Sequence, residues 1–120
     1  MKKKILVIDD EESMRHLLVD ALEVFGYHVS TAKDGHQALD ILDEAAFDLA
    51  ICDLMMPHLD GRNFLKKVKD HTPNLPVMII TGYGTAQTED EMMRLGARGY
   101  LPKPFTIEQI KTLVEQILGD

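Results

Sequence analysis

Three short apolar runs, Ile5-Leu6-Val7-Ile8, Leu49-Ala50-Ile51-Cys52 and Val77-Met78-Ile79-Ile80, are spaced along the chain, with a shorter one at Gly99-Tyr100-Leu101. Runs without polar alternation read as strands buried on both faces, the habit of parallel sheets. Tyr27 to Ala32 alternates and supplies a further strand. Between these runs the spacing changes to threes and fours. Met14, Leu17, Leu18, Ala21, Leu22 and Phe25 make one helical stripe, closed by Gly26 as a left-handed stop. Asp34 with Gln37 resembles a capping box for a helix turning Ala38, Ile41, Leu42 and Ala45 inward, and Phe64, Leu65 and Val68 mark a short helix with Lys66, Lys67 and Lys69 on its wet side. Pro73-Asn74-Leu75-Pro76 is a loop. The next helix could be capped by Thr85 or by Thr88 with Glu91, and its weak stripe of Ala86, Met93 and Ala97 predicts the loosest docking. Thr106 with Gln109 caps a last helix whose Ile107, Ile110, Val114, Ile117 and Leu118 face the core.

Five alternations of strand and helix, with right-handed crossovers, predict an α/β fold: a doubly wound, five-stranded parallel sheet with five helices on both faces. A length of 120 residues, 45% of them hydrophobic, allows one domain spanning 1–120. The net charge of -7 argues against direct binding of nucleic acid or an anionic membrane, both of which need clustered Lys and Arg, and favours cations and basic partners. One cysteine, Cys52, inside an apolar run, excludes a disulfide framework and points to a reducing, cytoplasmic setting. The apolar stretch after Lys2-Lys3-Lys4 is too short for a signal peptide, and no run reaches membrane-spanning length.

The chemistry gathers at the carboxyl ends of the strands, where open α/β sheets place their sites. Asp9 and Asp10 follow the first strand, Asp53 ends the third, Thr81 ends the fourth and Lys103 follows the fifth. If the first and third strands are neighbours, three carboxylates converge, and each close pair repels by about 4 kcal/mol at a surface-like effective dielectric. Lys103 offsets part of that charge, and a hard divalent cation would offset the rest; Mg²⁺ suits few carboxylates and several retained waters, with Mn²⁺ the alternative. A carboxylate beside Mg²⁺, a lysine and a hydroxyl can act as the nucleophile in phosphoryl transfer, giving an aspartyl phosphate.

These residues carry a family pattern. Ile5 to Glu11, Asp53-Leu54-Met55-Met56-Pro57 with Gly61, Ile80-Thr81-Gly82, and Tyr100-Leu101-Pro102-Lys103-Pro104-Phe105 stand in order at strand ends, and the chain resembles the receiver domain of two-component response regulators along essentially its whole length. The resemblance implies a flavodoxin-like strand order of 2-1-3-4-5 and a cis Lys103-Pro104 bond. By it, Asp53 is the phosphoacceptor, supplied by the phosphohistidine of a sensor kinase or phosphotransfer protein. Asp10, Asp53 and the backbone carbonyl of Met55 are the metal ligands, with Asp9 acting through water. Lys103 contacts the phosphoryl group, and Thr81 and Tyr100 form a switch pair: Thr81 moves toward the phosphoryl group and the Tyr100 ring turns into the space it leaves. The switched surface is the fourth helix, fifth strand and fifth helix, facing an output domain, an effector or a second copy in a phosphorylated homodimer. Met55 and Tyr83 occupy positions that influence how fast the acyl phosphate hydrolyses in the family; neither readily activates water, so a long-lived phosphoryl state is expected. Gly82, where many receivers carry Ala, and Gly84 make the fourth strand's loop permissive.

Competing readings fare worse. A degenerate receiver serving as a constitutive scaffold would not need Asp10, Asp53, Thr81 and Lys103 intact. A small-molecule aspartyl-phosphate phosphatase would carry Asp-x-Asp where this chain has Asp53-Leu54-Met55. In an FMN carrier the acidic run Asp9 to Glu12 would repel the phosphate. His16, His28, His36, His58 and His71 lack ligand spacing and read as surface residues.

Overall fold

A computed structural model of the chain describes residues 2–56, 59–82 and 84–119. The strands are β1 (Lys4–Ile8), β2 (His28–Ala32), β3 (Leu49–Asp53), β4 (Val77–Thr81) and β5 (Gly99–Pro102). The helices are α1 (Glu12–Val24), α2 (Gly35–Glu44), α3 (Gly61–His71), α4 (Ala86–Arg94) and α5 (Ile107–Leu118). All strand pairs are parallel and the order is β2-β1-β3-β4-β5, the doubly wound arrangement expected. The chain reverses its winding between β1 and β3, which opens a crevice beyond their carboxyl ends.

Strand side chains alternate between two cores. Leu6, Ile8, Ala50, Cys52, Val77 and Ile79 pack with Ala38 of α2, Phe64, Leu65 and Val68 of α3 and Met92 of α4. Ile5, Val7, Leu49, Ile51, Met78 and Ile80 pack on the other face with Leu18 and Leu22 of α1 and Ile110 and Val114 of α5. Burial on both faces is why these runs carry no polar alternation.

Helix ends follow local chemistry. Gly26, at φ +96°, closes α1 with paired backbone bonds from Gly26 to Glu23 and from Tyr27 to Leu22, and Gly96, at φ +106°, closes α4 in the same way. Asp60 caps α3 through the Asn63 N–H, Thr85 rather than Thr88 caps α4, and Thr106 with Gln109 forms a complete capping box on α5. At α2 the box is altered: Asp34 accepts from Gln37 N–H, but the Gln37 amide oxygen accepts from Lys33 N–H, one residue earlier than a capping box requires.

Several inward assignments are corrected. Leu17 and Ile107 are 44% and 40% exposed, and Ala45, the C-cap of α2, faces water. In α4 the inward residue is Met92, while Met93 is 44% exposed and Ala86 is exposed. The inward phase of α4 centres on buried Met92, with Thr88, Glu91 and Leu95 only partly buried beside it, a stripe half polar and so hidden from an apolar count. An Arg62–Glu91 ion pair of 2.8 Å ties α4 to α3 beside that stripe. No helix among the described residues is long and apolar enough to cross a membrane.

Candidate functional site

Register places the site. Ile8 pairs with Cys52 and Asp53 with Ile80, so Asp9 and Asp53 emerge side by side from neighbouring strands, with Thr81 one strand further. Lys103 N–H donates to the Thr81 carbonyl at 2.8 Å, bringing the chain after β5 over the same edge. The Lys103-Pro104 bond is cis, as the resemblance implied. Asp10, Glu11, Asp53, Met55, Gly82 and Lys103 line a cleft of about 500 Å³. Two tight approaches hold the β3–α3 loop: a Cβ on Gly61 would stand 2.8 Å from Leu54 Cα, and one on Gly35 would stand 2.7 Å from Leu59 Cδ2. Pro57, His58 and Tyr83, named in the sequence reading, lie outside the described residues.

Asp9 is fully buried, Asp53 nearly so, and Asp10 is exposed. One carboxylate oxygen from each of the three lies within 4.8 Å of the others. Asp53 Oδ1 accepts from Met55 N–H at 3.0 Å, and Asp53 Oδ2 accepts from Lys103 Nζ at 3.1 Å. Lys103 Nζ also stands 3.8 Å from Asp9 Oδ2 and 3.8 Å from Glu11 Oε1. Burial alone would lower the Lys103 ammonium, but its hydrogen bond to Asp53 and the charges of Asp53, Asp9 and Glu11 outweigh that and hold it above its ordinary value. Met55 is half exposed at the rim, and Thr81 is fully buried.

Asp9 is the strained member. Its Oδ1 accepts from Glu11 N–H at 2.9 Å, satisfying a free donor at the start of α1, while its Oδ2 is buried without a hydrogen bond among the described residues. Burial pushes its carboxyl up to about 6; the Glu11 bond opposes this, the charge of Asp53 adds to it, and Lys103 opposes it. A buried oxygen lacking a donor, with two further carboxylates in reach, fits a hard divalent cation with oxygen ligands.

A test follows from that strain. With no metal present, Asp9→Asn should stabilise the fold by about 1–3 kcal/mol at pH 7.5, because the buried charge is removed and the Glu11 cap survives. The sign is set by the raised carboxyl pKa. The folded state holds the Asp9 proton more tightly than the unfolded chain, so this group's contribution falls as pH rises from about 4 to 6 and is flat above. Thermal melts of wild type and D9N in EDTA across that range should diverge upward in pH; coincident melts would refute it.

Two contributors carried no role in the sequence reading. Glu11 faces Lys103, and Arg15 Nη1 donates to the Asp9 carbonyl at 2.7 Å, pinning the end of β1 from within α1. Of the two loop glycines, Gly82 has room, since a Cβ there would meet only Lys103 Cδ at 3.8 Å and Cβ at 3.9 Å. Gly84 does not: a Cβ there would overlap the Tyr100 hydroxyl and lie 2.8 Å from Thr81 Cγ2. The Tyr100 hydroxyl is buried beside it.

Comparisons with known proteins agree with this architecture. The family model described as response regulator receiver domain matches residues 5–115. Transcriptional regulatory protein ZraR of Escherichia coli K12 is 39% identical over 115 residues, covering 96% of this chain and 26% of the regulator, so the chain spans about a quarter of that relative's length. Sporulation initiation phosphotransferase F of Bacillus subtilis is 37% identical over 118 residues, covering 98% of this chain and 95% of that protein. The solved structure of chemotaxis protein CheY4 of Vibrio cholerae superposes with a TM-score of 0.92 at 32% identity, covering 98% of this chain and all of the other. With the family model spanning nearly every element and the acidic cluster at the expected strand ends, the chain belongs to the receiver domains of two-component response regulators.

Proposed function

We propose that residues 1–120 act as one phosphorylation-controlled receiver unit, with Asp53 as its phosphoacceptor. One observation carries the reading: Asp53 sits in the cleft with a lysine on one oxygen, beside a buried aspartate whose second oxygen has no donor among the described residues. An Asp53 carboxylate oxygen attacks the phosphorus of a sensor kinase or phosphotransfer phosphohistidine. The new O–P bond forms as the N–P bond breaks, and the departing imidazole nitrogen keeps the electron pair and takes up a proton. The Met55 N–H orients Asp53 through its other oxygen. Lys103, already within reach of both buried aspartates, neutralises charge on the transferring group, and the Thr81 hydroxyl donates to one of its oxygens. The chemistry is self-directed; the chain turns over no separate substrate.

Asp10, Asp53 and the Met55 carbonyl are the residues that would hold a divalent cation, with Asp9 acting through water, and Mg²⁺ fits this oxygen set, Mn²⁺ being the alternative. When bound, the cation supplies positive charge to the phosphoryl oxygens and relieves the crowding of carboxylates. Drawing Thr81 toward a phosphorylated Asp53 biases the surface of α4, β5 and α5 toward an output domain, an effector or a second phosphorylated copy. The ion pair from Arg62 to Glu91 is the contact that such a shift of α4 would have to break or carry along.

The test is phosphoryl incorporation from acetyl phosphate, read by intact mass. Incorporation should approach one group per chain with Mg²⁺ and fall to background in EDTA. Equal labelling with and without the metal would contradict the role given to the three aspartates.

A further inference from the structure

The Tyr100 hydroxyl is buried and has no hydrogen-bond partner among the described residues, although the ring is only partly buried and packs against the core beneath α4. A hydroxyl free to reach water gains hydrogen bonds there, so an orphaned one is held inside by packing. The space it occupies exists because residue 84 has no side chain. A Cβ there would overlap the hydroxyl, stand 2.8 Å from Tyr100 Cζ and stand 2.8 Å from Thr81 Cγ2. Of these neighbours Thr81 is fully buried, whereas the Tyr100 ring is partly exposed, so the ring is the group that a Cβ at 84 would displace.

We propose that Gly84 is the positioning residue that admits the Tyr100 ring to its inward place before any phosphoryl group arrives. The ring's location is then fixed by the missing Cβ at 84, and Thr81 need not move away first. With alanine at 84, the ring would have to wait for the β4–α4 loop to shift. The stereochemistry stands by itself; its regulatory meaning rests on the phosphoacceptor reading. In this chain phosphorylation would act on Thr81 and α4 with the aromatic ring already seated.

The experiment is proton NMR on the whole chain in EDTA, without a phosphoryl analogue. Nuclear Overhauser cross-peaks from the Tyr100 ring ε protons to the Gly84 α protons should be present in wild type and lost in G84A. Their absence in wild type, or their persistence in G84A, overturns the proposal. Y100F gives a second measure that does not depend on G84A folding: deleting an unpartnered hydroxyl should raise the Tm, and a fall would show the hydroxyl to be satisfied and overturn the inference. Adding beryllofluoride with Mg²⁺ separates the two layers. Backbone amides around Asp53 and Thr81 should shift while the ring cross-peaks stay as they were. Cross-peaks that appear only after beryllofluoride sink the Gly84 inference and leave the phosphoacceptor reading standing. Unshifted amides, with cross-peaks present throughout, do the reverse.

Discussion

Asp53→Asn is expected to abolish phosphoryl incorporation from acetyl phosphate and leave the fold intact. The amide keeps an oxygen for the Met55 N–H, so the turn after β3 retains its 3.0 Å bond. Lys103 loses its 3.1 Å partner but still faces Asp9 and Glu11, each at 3.8 Å. Asp9 gains, because the neighbouring charge that helps push its carboxyl up is gone. What disappears is the nucleophile, since a neutral amide oxygen or nitrogen does not displace a leaving group from phosphorus under these conditions. Intact mass should show no adduct while the thermal melt stays cooperative; a mutant labelled as fully as wild type would remove Asp53 from the reaction.

Lys103→Ala should damage both chemistry and stability. Its ammonium is mostly buried and stands 3.1 Å from Asp53 and 3.8 Å from Asp9, so its loss takes that compensating charge from both. Breaking a fully buried pair costs about 3–5 kcal/mol. The cleft is open to water, so about 1–3 kcal/mol is the proportionate expectation here. Phosphoryl transfer should slow by about 10²–10³-fold, the usual effect of removing one preorganised donor from developing charge. The pH behaviour is distinctive. Because the Lys103 ammonium is held above its ordinary value, its contribution is complete below the unfolded lysine value of about 10 and is lost only as pH climbs through the higher folded one. The stability gap between wild type and K103A, measured by denaturant melts in EDTA, should therefore show no loss of the Lys103 contribution between pH 7 and 9. K103A that transfers phosphoryl groups at the wild-type rate would contradict the role assigned to the lysine.

The strands and the acidic cluster were readable because their physics is local. An apolar run without alternation has to be buried twice, and a carboxylate at its end has to face a polar crevice, so Asp9, Asp10 and Asp53 each stood out at a strand end, while their convergence followed from the strand order that the resemblance implied. Lys103 joined them because it follows the last strand of the same sheet. Helix faces were less legible. Leu17 and Ile107 are apolar yet exposed, since burial favours apolar residues without requiring every one to be inside. The docking face of α4 uses Thr88 and Glu91 beside Met92, and polar residues with tertiary partners such as Arg62 leave no apolar signature. Arg15 acts by reaching back across a turn to the Asp9 carbonyl, and Glu11 by facing Lys103 from across the sheet, contacts that spacing alone does not reveal. The contrast between Gly82 and Gly84 was invisible for a different reason: the side chain that crowds Gly84, Tyr100, approaches it from β5.

The most direct measurement is the location of the phosphoryl group. Wild-type chain treated with acetyl phosphate and Mg²⁺, reduced with borohydride and digested, converts an aspartyl phosphate to homoserine at the residue that carried it. Homoserine at position 53, and nowhere in chain treated with EDTA, is the expected result. A phosphoryl group on a histidine or a hydroxyl, or homoserine at position 9 or 10 with Asp53 unmodified, would contradict the assignment.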